Sequence, residues 1–188
     1  MQVARALFGS AAAVTYGTDC DLLYRGRSSR ATPRQTTARA RVRLGSGEDI
    51  AVVGTHLTST RPSFHLWLRD RWHRLAQDRR RRREEMREVV GVVEAVPAGV
   101  PIILAGDFNA PAGDAVFWLL RPRLRDAFVE AGRGWGNTWS SEFPLVRIDQ
   151  VWVSPEWHVV NVQAWPAGPS DHRMVVCDLE RRGAPGER

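Results

Sequence analysis

Lysine is absent from this sequence of 188 residues, so all 27 of its basic residues are arginines. They outnumber the 21 acidic residues and give a formal net charge of +6. A basic surface attracts polyanions such as nucleic acid, because binding releases condensed counterions. A GC-rich coding sequence also enriches arginine whatever the function, and we favour that explanation of the composition.

Cysteine is nearly absent too, and long apolar runs are missing. Cys20 and Cys177 lie far apart, and neither belongs to a Cys-x-x-Cys motif, which argues against a disulfide scaffold and a zinc site. No apolar run approaches the ~18 residues of a membrane span. Residues 6–14 faintly resemble a signal-peptide core without a clear cleavage site, so we assign them to the domain and expect a cytoplasmic protein.

The composition favours one folded domain. Hydrophobic residues make up 43% of the chain and charged residues 26%, values that are ordinary for a globular protein. The length suits one core better than two. We predict a domain over residues 1–182 and a disordered tail over residues 183–188.

Hydrophobic periodicity predicts a mixture of strands and helices. Alternation indicates half-exposed strands, short apolar runs indicate buried strands, and steps of three and four residues indicate helices. In chain order these are strands at 39–44 and 50–53, a helix at 69–95, a strand at 102–105, a short helix at 114–120, and strands at 147–153, 159–165 and 174–179.

A run of arginines, Arg79 to Arg83, interrupts the apolar stripe of the predicted helix. Arg80 can pair with Glu84, and Arg81 with Glu85, across one helical turn. We therefore interpret the run as a solvated helix face. Contact with phosphate groups is the alternative.

Four polar clusters stand at the ends of apolar, strand-like runs. They are Gly54-Thr55-His56-Leu57, Gly106-Asp107-Phe108-Asn109, Arg147-Ile148-Asp149-Gln150 and Ser170-Asp171-His172-Arg173. Polar side chains at the ends of neighbouring strands converge and often carry function.

Each cluster alone also has a structural explanation. Asp107 and Asn109 can form a turn, because such side chains bond their own backbone. His56 can be a buried core histidine, Asp149 can pair with Arg147, and the Asp171 cluster can be a turn between strands. The order of all four clusters together is harder to explain in this way.

In order and residue type, the four clusters resemble the endonuclease/exonuclease/phosphatase superfamily, whose hallmarks are Thr-His, Gly-Asp-x-Asn, Arg-Ile-Asp and Ser-Asp-His. The resemblance implies an α/β fold, the DNase I-like four-layer α/β/β/α sandwich, here incomplete at its amino-terminal side. It also implies a metal-dependent hydrolase that cleaves phosphate esters, as a phosphodiesterase or nuclease.

The resemblance also implies roles for the acidic and amide residues. Asp171 is similar to a ligand of Mg²⁺ or Mn²⁺, hard cations that prefer oxygen ligands. Asp107 resembles the carboxylate that orients or deprotonates the attacking water. Asn109 resembles the donor that binds a phosphoryl oxygen, and an extended segment would point it the same way as Asp107.

Two histidines and a tryptophan complete the predicted site. His172 resembles the histidine that contacts the phosphate, and Asp149 the carboxylate that orients its ring. His56 matches a second histidine, which acts near the leaving group or the phosphate. Trp139 is a candidate to line the substrate cleft, although a tryptophan of the core is the interpretation we favour.

The first two motifs of the family, an Asn-ended strand and a Glu-ended strand, have no counterpart. Residues 4–25 instead resemble the segment that follows that Glu, and none of the early acids Asp19, Asp21 and Glu48 ends an apolar run. We therefore expect an amino-terminally truncated form that is inactive or feeble.

The substrate class stays open among nucleic acid, phospholipid head groups and inositol phosphates, and the arginines tilt the choice slightly to nucleic acid. The alternative function is a catalytically silent remnant that binds an anionic partner through its arginines. No obligate protein partner is inferred.

Overall fold

The structure, a computed structural model, describes residues 3–8, 20–26, 36–59 and 69–182, with side chains described over 37–59 and 77–182. Within these stretches lie nine strands, two α-helices and one 3₁₀ helix. In chain order they are β1 (Val3–Phe8), β2 (Cys20–Gly26), β3 (Thr36–Arg43), β4 (Asp49–His56), α1 (Arg69–Glu94), β5 (Ile102–Asp107), the 3₁₀ helix (Ala115–Leu119), β6 (Arg125–Asp126), α2 (Ala127–Ala131), β7 (Asp149–Val153), β8 (Trp157–Pro166) and β9 (Arg173–Arg181).

The strands form two sheets. The larger has the order β2-β3-β4-β5-β7-β6, and the smaller has the order β1-β9-β8. β4 and β5 run parallel, while the other neighbours are antiparallel. A parallel pair requires a crossover connection, which α1 supplies. The carboxyl ends of β4 and β5 therefore lie side by side.

Apolar side chains fill both faces of the larger sheet. One face packs on the smaller sheet through residues such as Ile103, Ala105, Val159 and Cys177. The opposite face is covered by α1 and the 3₁₀ helix. This burial is the main favourable term in folding, and it joins the described residues into three layers, helix on sheet on sheet. The predicted α/β class is confirmed, and three of the four predicted layers lie within the described residues.

The larger elements follow their predictions closely. The predicted helix over 69–95 is α1, and the strands predicted from apolar runs and alternation are all present, most of them longer than predicted. Asp114 caps the 3₁₀ helix as expected, since its Oδ1 accepts a hydrogen bond from the backbone N–H of Val116 at 3.0 Å. The predicted pair of Arg81 and Glu85 is also present, at 3.0 Å.

Part of the amino-terminal segment belongs to the smaller sheet. Residues 6–8, which open the stretch that resembles a signal peptide, belong to β1 and pair with β9. Asp19 and the predicted tail at 183–188 lie outside the described residues. Among the helices of the described ranges, none combines the length and apolar composition needed to cross a membrane.

Candidate active site

The four polar clusters meet at one edge of the two sheets. His56 ends β4, Asp107 ends β5 and Asp149 begins β7, and strand register places His56 beside Asp107 and Asp107 opposite Asp149. These three residues thus form a row across three adjacent strands. His172 comes from the other sheet, where it directly precedes β9, and reaches the row from the side.

Asp149 and His172 form a hydrogen-bonded pair. His172 Nδ1 lies 2.9 Å from Asp149 Oδ2, and both side chains are largely buried. This bond raises the pKa of the His172 imidazole, and the negative charges of Asp149, Asp107 and Asp171 add to the rise while burial opposes it. The arrangement favours an imidazolium whose Nδ1–H donates to Asp149, which leaves Nε2–H for another acceptor.

Asp107 lies beside this pair in a crowded acidic environment. Burial raises the pKa of the Asp107 carboxyl, and the negative charge of Asp149 raises it further. The backbone N–H of Asn109 donates to Asp107 Oδ1 at 2.8 Å and partly offsets the rise. His56 Nε2 lies 3.6 Å from Asp107 Oδ2. Two carboxylates are thus held close together with little solvent around Asp107.

Asn109 differs from its prediction in backbone conformation. β5 ends at Asp107, and Asn109 has a φ of 46°, in the left-handed region that asparagine tolerates better than most residues. The extended segment we expected is therefore wrong, although the two side chains do meet. Asn109 Nδ2 donates to Asp107 Oδ2 at 3.0 Å and to the carbonyl of Leu57 at 2.9 Å. A phosphoryl oxygen could bind this amide only by replacing one of these acceptors.

Gly106 explains why the second cluster begins with glycine. Its φ is 148°, and a Cβ built there would lie 1.8 Å from the carbonyl oxygen of Thr55 on the neighbouring strand. No side chain fits that space, because real Cβ atoms do not approach backbone so closely. Only glycine lets β5 approach β4 here and place Asp107 beside His56.

Thr138 is a residue that sequence reasoning missed. Its side chain is fully buried, and its Oγ1 accepts hydrogen bonds from the backbone N–H groups of Ile148, at 3.2 Å, and Asp149, at 3.1 Å. Its carbonyl accepts from the backbone N–H of Arg173 at 2.8 Å. Thr138 therefore joins the segment of Asp149 to the segment of His172. A single threonine in a loop gives no sequence signal for this role.

Three predicted residues lie on the exposed side of the site. The side chain of His56 is 57% exposed, which rules out a buried core histidine. Asp171 is exposed, and its carboxylate has no hydrogen-bond partner among the described residues, although its charge acts on His172. Trp139 is 41% exposed, so the core interpretation is wrong. Its backbone bridges to His172.

The alternative pairing of Asp149 with Arg147 is also wrong. Arg147 donates to Asp126 through both terminal nitrogens, at 2.8 and 2.6 Å, and lies over the ring of Phe128 at 4.9 Å. Asp126 in turn caps α2. Arg147 therefore anchors α2 to the sheet and leaves Asp149 to His172.

The clustered side chains fit a divalent cation. Ligand-type atoms of Asp107, Asp149 and His172 all lie within 4.8 Å of one another. The pKa of Asp107 is raised first by burial and then by the negative charge of Asp149, and a nearby cation would offset both. Asp107, Asp149 and His172 are therefore grouped closely enough to serve as ligands of a metal ion.

The sequence matches the model of a known protein family. The model of the Endonuclease/Exonuclease/phosphatase family matches residues 12–172, which is more than half of the chain. The chain belongs to this family. Its members are phosphoester hydrolases that generally use divalent metals. No curated protein is found to match this sequence.

Solved structures of the family share the fold. An endonuclease/exonuclease/phosphatase family protein from Bacteroides thetaiotaomicron has a TM-score of 0.66 at 17% identity and aligns with 85% of this chain and 66% of its own. A mannosyl-6-phosphatase from the same organism has a TM-score of 0.66 at 17% identity, with 86% and 67% covered. TDP2 of D. rerio, complexed with a single-strand DNA product, has a TM-score of 0.61 at 17% identity, with 86% and 68% covered. The chain thus spans about two thirds of the length of these structures.

Proposed function

We propose that this chain is a metal-dependent hydrolase of phosphate esters that acts on phosphodiesters. The observation that carries the proposal is the hydrogen-bonded Asp149–His172 pair beside the carboxylate of Asp107, at the meeting edge of the two sheets. Hydrolysis of a phosphodiester requires stabilisation of charge on the phosphoryl oxygens and a positioned water, and these three residues can supply both.

His172 is proposed to neutralise the phosphoryl group. Its raised pKa favours the imidazolium, whose Nε2–H can donate to a phosphoryl oxygen while Nδ1–H stays bonded to Asp149. Asp149 thereby fixes the ring before the substrate binds. A preorganised donor of this kind stabilises developing negative charge without reorganisation during the reaction.

Asp107 is proposed to orient the attacking water and accept its proton. A carboxylate with a raised pKa is a better base than an ordinary aspartate. Asn109 is proposed to bind a phosphoryl oxygen through its amide after giving up its bond to Asp107. His56, 57% exposed beside Asp107, is placed to contact the leaving group or the phosphate, and Trp139 to contact the rest of the substrate.

Asp171 is proposed to hold a Mg²⁺ or Mn²⁺ ion. Such an ion, when bound, neutralises phosphoryl charge and lowers the pKa of a coordinated water. Asp171 suits this role because its carboxylate is exposed and has no partner among the described residues.

The test is hydrolysis of bis(p-nitrophenyl) phosphate with Mg²⁺, with Mn²⁺ and with EDTA. Asp107→Asn is compared with Glu94→Gln, which removes an exposed carboxylate at the end of α1. We expect weak, metal-dependent turnover that EDTA and Asp107→Asn abolish and Glu94→Gln preserves. Turnover that survives EDTA, or a folded protein that hydrolyses nothing with either metal, would refute the proposal.

A further inference from the structure

Four arginines of α1 line an open cleft beside the loop that follows β5. The cleft has a volume of about 490 Å³. Besides the four arginines Arg79, Arg80, Arg82 and Arg83, it is lined by residues 113–116, which include Asp114. The proposed hydrolysis of a phosphodiester gives this cleft no role, so its charge needs a separate explanation.

The cleft carries an excess of positive charge. Its one acidic side chain, Asp114, accepts from Arg82 at 2.9 Å, and both side chains of this pair are mostly buried. Arg79, Arg80 and Arg83 are exposed, and their side chains form no ion pair or hydrogen bond with the described residues. Three guanidinium groups therefore face solvent around one opening. Guanidinium groups bind phosphate through paired N–H donors.

Within the run Arg79 to Arg83, Arg82 has a structural role. It lies one turn before Met86 and two turns before Val89 on the buried stripe of α1, where an unpaired charge would destabilise the fold. Asp114 removes that cost by pairing with Arg82. The same argument does not extend to Arg79 and Arg83, since neither is buried or paired within the described ranges.

The cleft is close to the candidate active site. Arg81 Nη2 lies 3.4 Å from Thr58 Oγ1, and Thr58 follows Leu57, whose carbonyl accepts from Asn109. Gly113 lies four residues after Asn109, and four residues span at most about 14 Å. At the ~3.4 Å rise of a helical strand, about four nucleotides cover this span, and an extended single strand needs fewer.

Exposed aromatic rings border the site at another edge. Trp139 and Phe143 are 41% and 79% exposed on a hairpin that bonds to the segment of His172 through Ser141 N–H to the carbonyl of Asp171, at 2.7 Å. Sites for single-stranded nucleic acid typically combine basic side chains that contact the sugar-phosphate backbone with aromatic rings on which bases stack.

We propose that the arginine cleft binds a second phosphate group of a single-stranded nucleic acid whose scissile phosphate occupies the candidate active site. This inference rests on the proposed function and narrows its substrate class. A head group or a sugar that carries one phosphate would fill the active site without reaching the cleft.

The test compares Arg79→Ala/Arg83→Ala with Arg121→Ala/Arg182→Ala, a control pair of exposed arginines that do not line the cleft. Binding of a fluorescent oligothymidylate is measured by anisotropy in EDTA at several salt concentrations. We expect the cleft variant to bind roughly tenfold more weakly, with a salt slope lower by about 0.7 for each phosphate that the protein no longer neutralises. The control should keep both values.

Three outcomes would overturn the inference. The first is that the cleft variant and the control variant bind oligothymidylate with equal affinity and equal salt slope. The second is that the melting temperature falls together with the affinity, both in Arg79→Ala/Arg83→Ala and in Arg79→Gln/Arg83→Gln. The third is that inorganic polyphosphate competes as strongly as unlabelled oligothymidylate. Turnover of bis(p-nitrophenyl) phosphate separates the two proposals. The cleft variant should keep the parent rate on this small substrate, whereas failure of the proposed function removes turnover from every variant and leaves the binding result intact.

Discussion

The two sides of the candidate site differ in how firmly the protein holds them. On the inner side, Asp149 and His172 are largely buried and bonded to each other, and the fully buried Thr138 joins their two segments. On the outer side, His56 is 57% exposed, and the exposed carboxylate of Asp171 has no partner among the described residues. The protein thus holds Asp149 and His172 in place before any ligand binds, and this pair sets the protonation state of His172. His56 and Asp171 stay accessible to a cation or a substrate.

Removal of the inner histidine should have the largest effect. We expect His172→Ala to lower kcat on bis(p-nitrophenyl) phosphate by about 10²–10³, the usual effect of removing one preorganised donor to a developing negative charge. His158→Ala, which removes an exposed histidine from β8, is the matched control and should keep the parent rate. Similar rates in the two variants would mean that the inner side takes no part in the chemistry.

The second largest effect is a loss of stability on substitution of Gly106, where the backbone of β5 lies against β4. Gly106→Ala should destabilise the protein by at least about 3 kcal/mol, above the usual range for single substitutions, because its Cβ would meet the carbonyl of Thr55 at 1.8 Å. Gly54→Ala is the control on the adjacent strand, where nothing lies within 4 Å of the added Cβ. Urea unfolding measures both. Equal stabilities would show that β4 and β5 separate without cost.

Substitution of Thr138 tests whether the Asp149–His172 pair depends on the hydrogen bonds that join its two segments. Thr138→Val leaves the backbone N–H groups of Ile148 and Asp149 without their acceptor, at a cost of about 1–3 kcal/mol for each buried group. Ser154→Ala removes a similar acceptor, for Ile102 N–H at 2.8 Å, at the other end of the sheet. Both should lose stability in urea, but only Thr138→Val should also lower kcat. A parent kcat in Thr138→Val would remove its positioning role.

The smallest effect is a gain in stability. The pKa of Asp107 is raised in the folded state, so its ionisation destabilises the fold as pH rises through the ordinary value of 3.8, and the cost persists at neutral pH. Asp107→Asn should therefore raise the melting temperature in EDTA by a few degrees, equivalent to about 1 kcal/mol. The lost bond from Asn109 limits the gain.

Asp171→Asn is the corresponding change on the outer side of the site. Its melting temperature in EDTA should rise by less than that of Asp107→Asn, because solvent screens the charge of the exposed Asp171. Melting curves in EDTA that place both variants below the parent would contradict a crowded acidic site.

Sequence alone could predict the elements and the membership of the site, but not its geometry. Apolar periodicity is local, so it located α1 and the strands that deliver Asp107 and Asp149. The family motifs then named the residues that meet. The exposure of Trp139 and the role of Thr138 depend on how a loop folds back on the sheet, which no local pattern encodes.

The wrong structural alternatives have the same origin. Arg147 pairs with Asp126, a residue 21 positions away, rather than with its near neighbour Asp149. Sequence proximity suggested one partner, and the antiparallel pairing of β6 with β7 supplied another. The residues that meet at the candidate site could thus be named, whereas the partners that orient them required the fold.

The most direct test of a preorganised inner side is an NMR pH titration of the His172 imidazole in the metal-free protein. We predict a pKa above the ordinary 6.5, because Asp149 stabilises the imidazolium, and a fall of that pKa in Asp149→Asn. The stability that the charged pair contributes should accordingly be complete below about pH 6.5 and lost as pH rises through the raised pKa. A pKa at or below 6.5 that Asp149→Asn leaves unchanged would contradict the account.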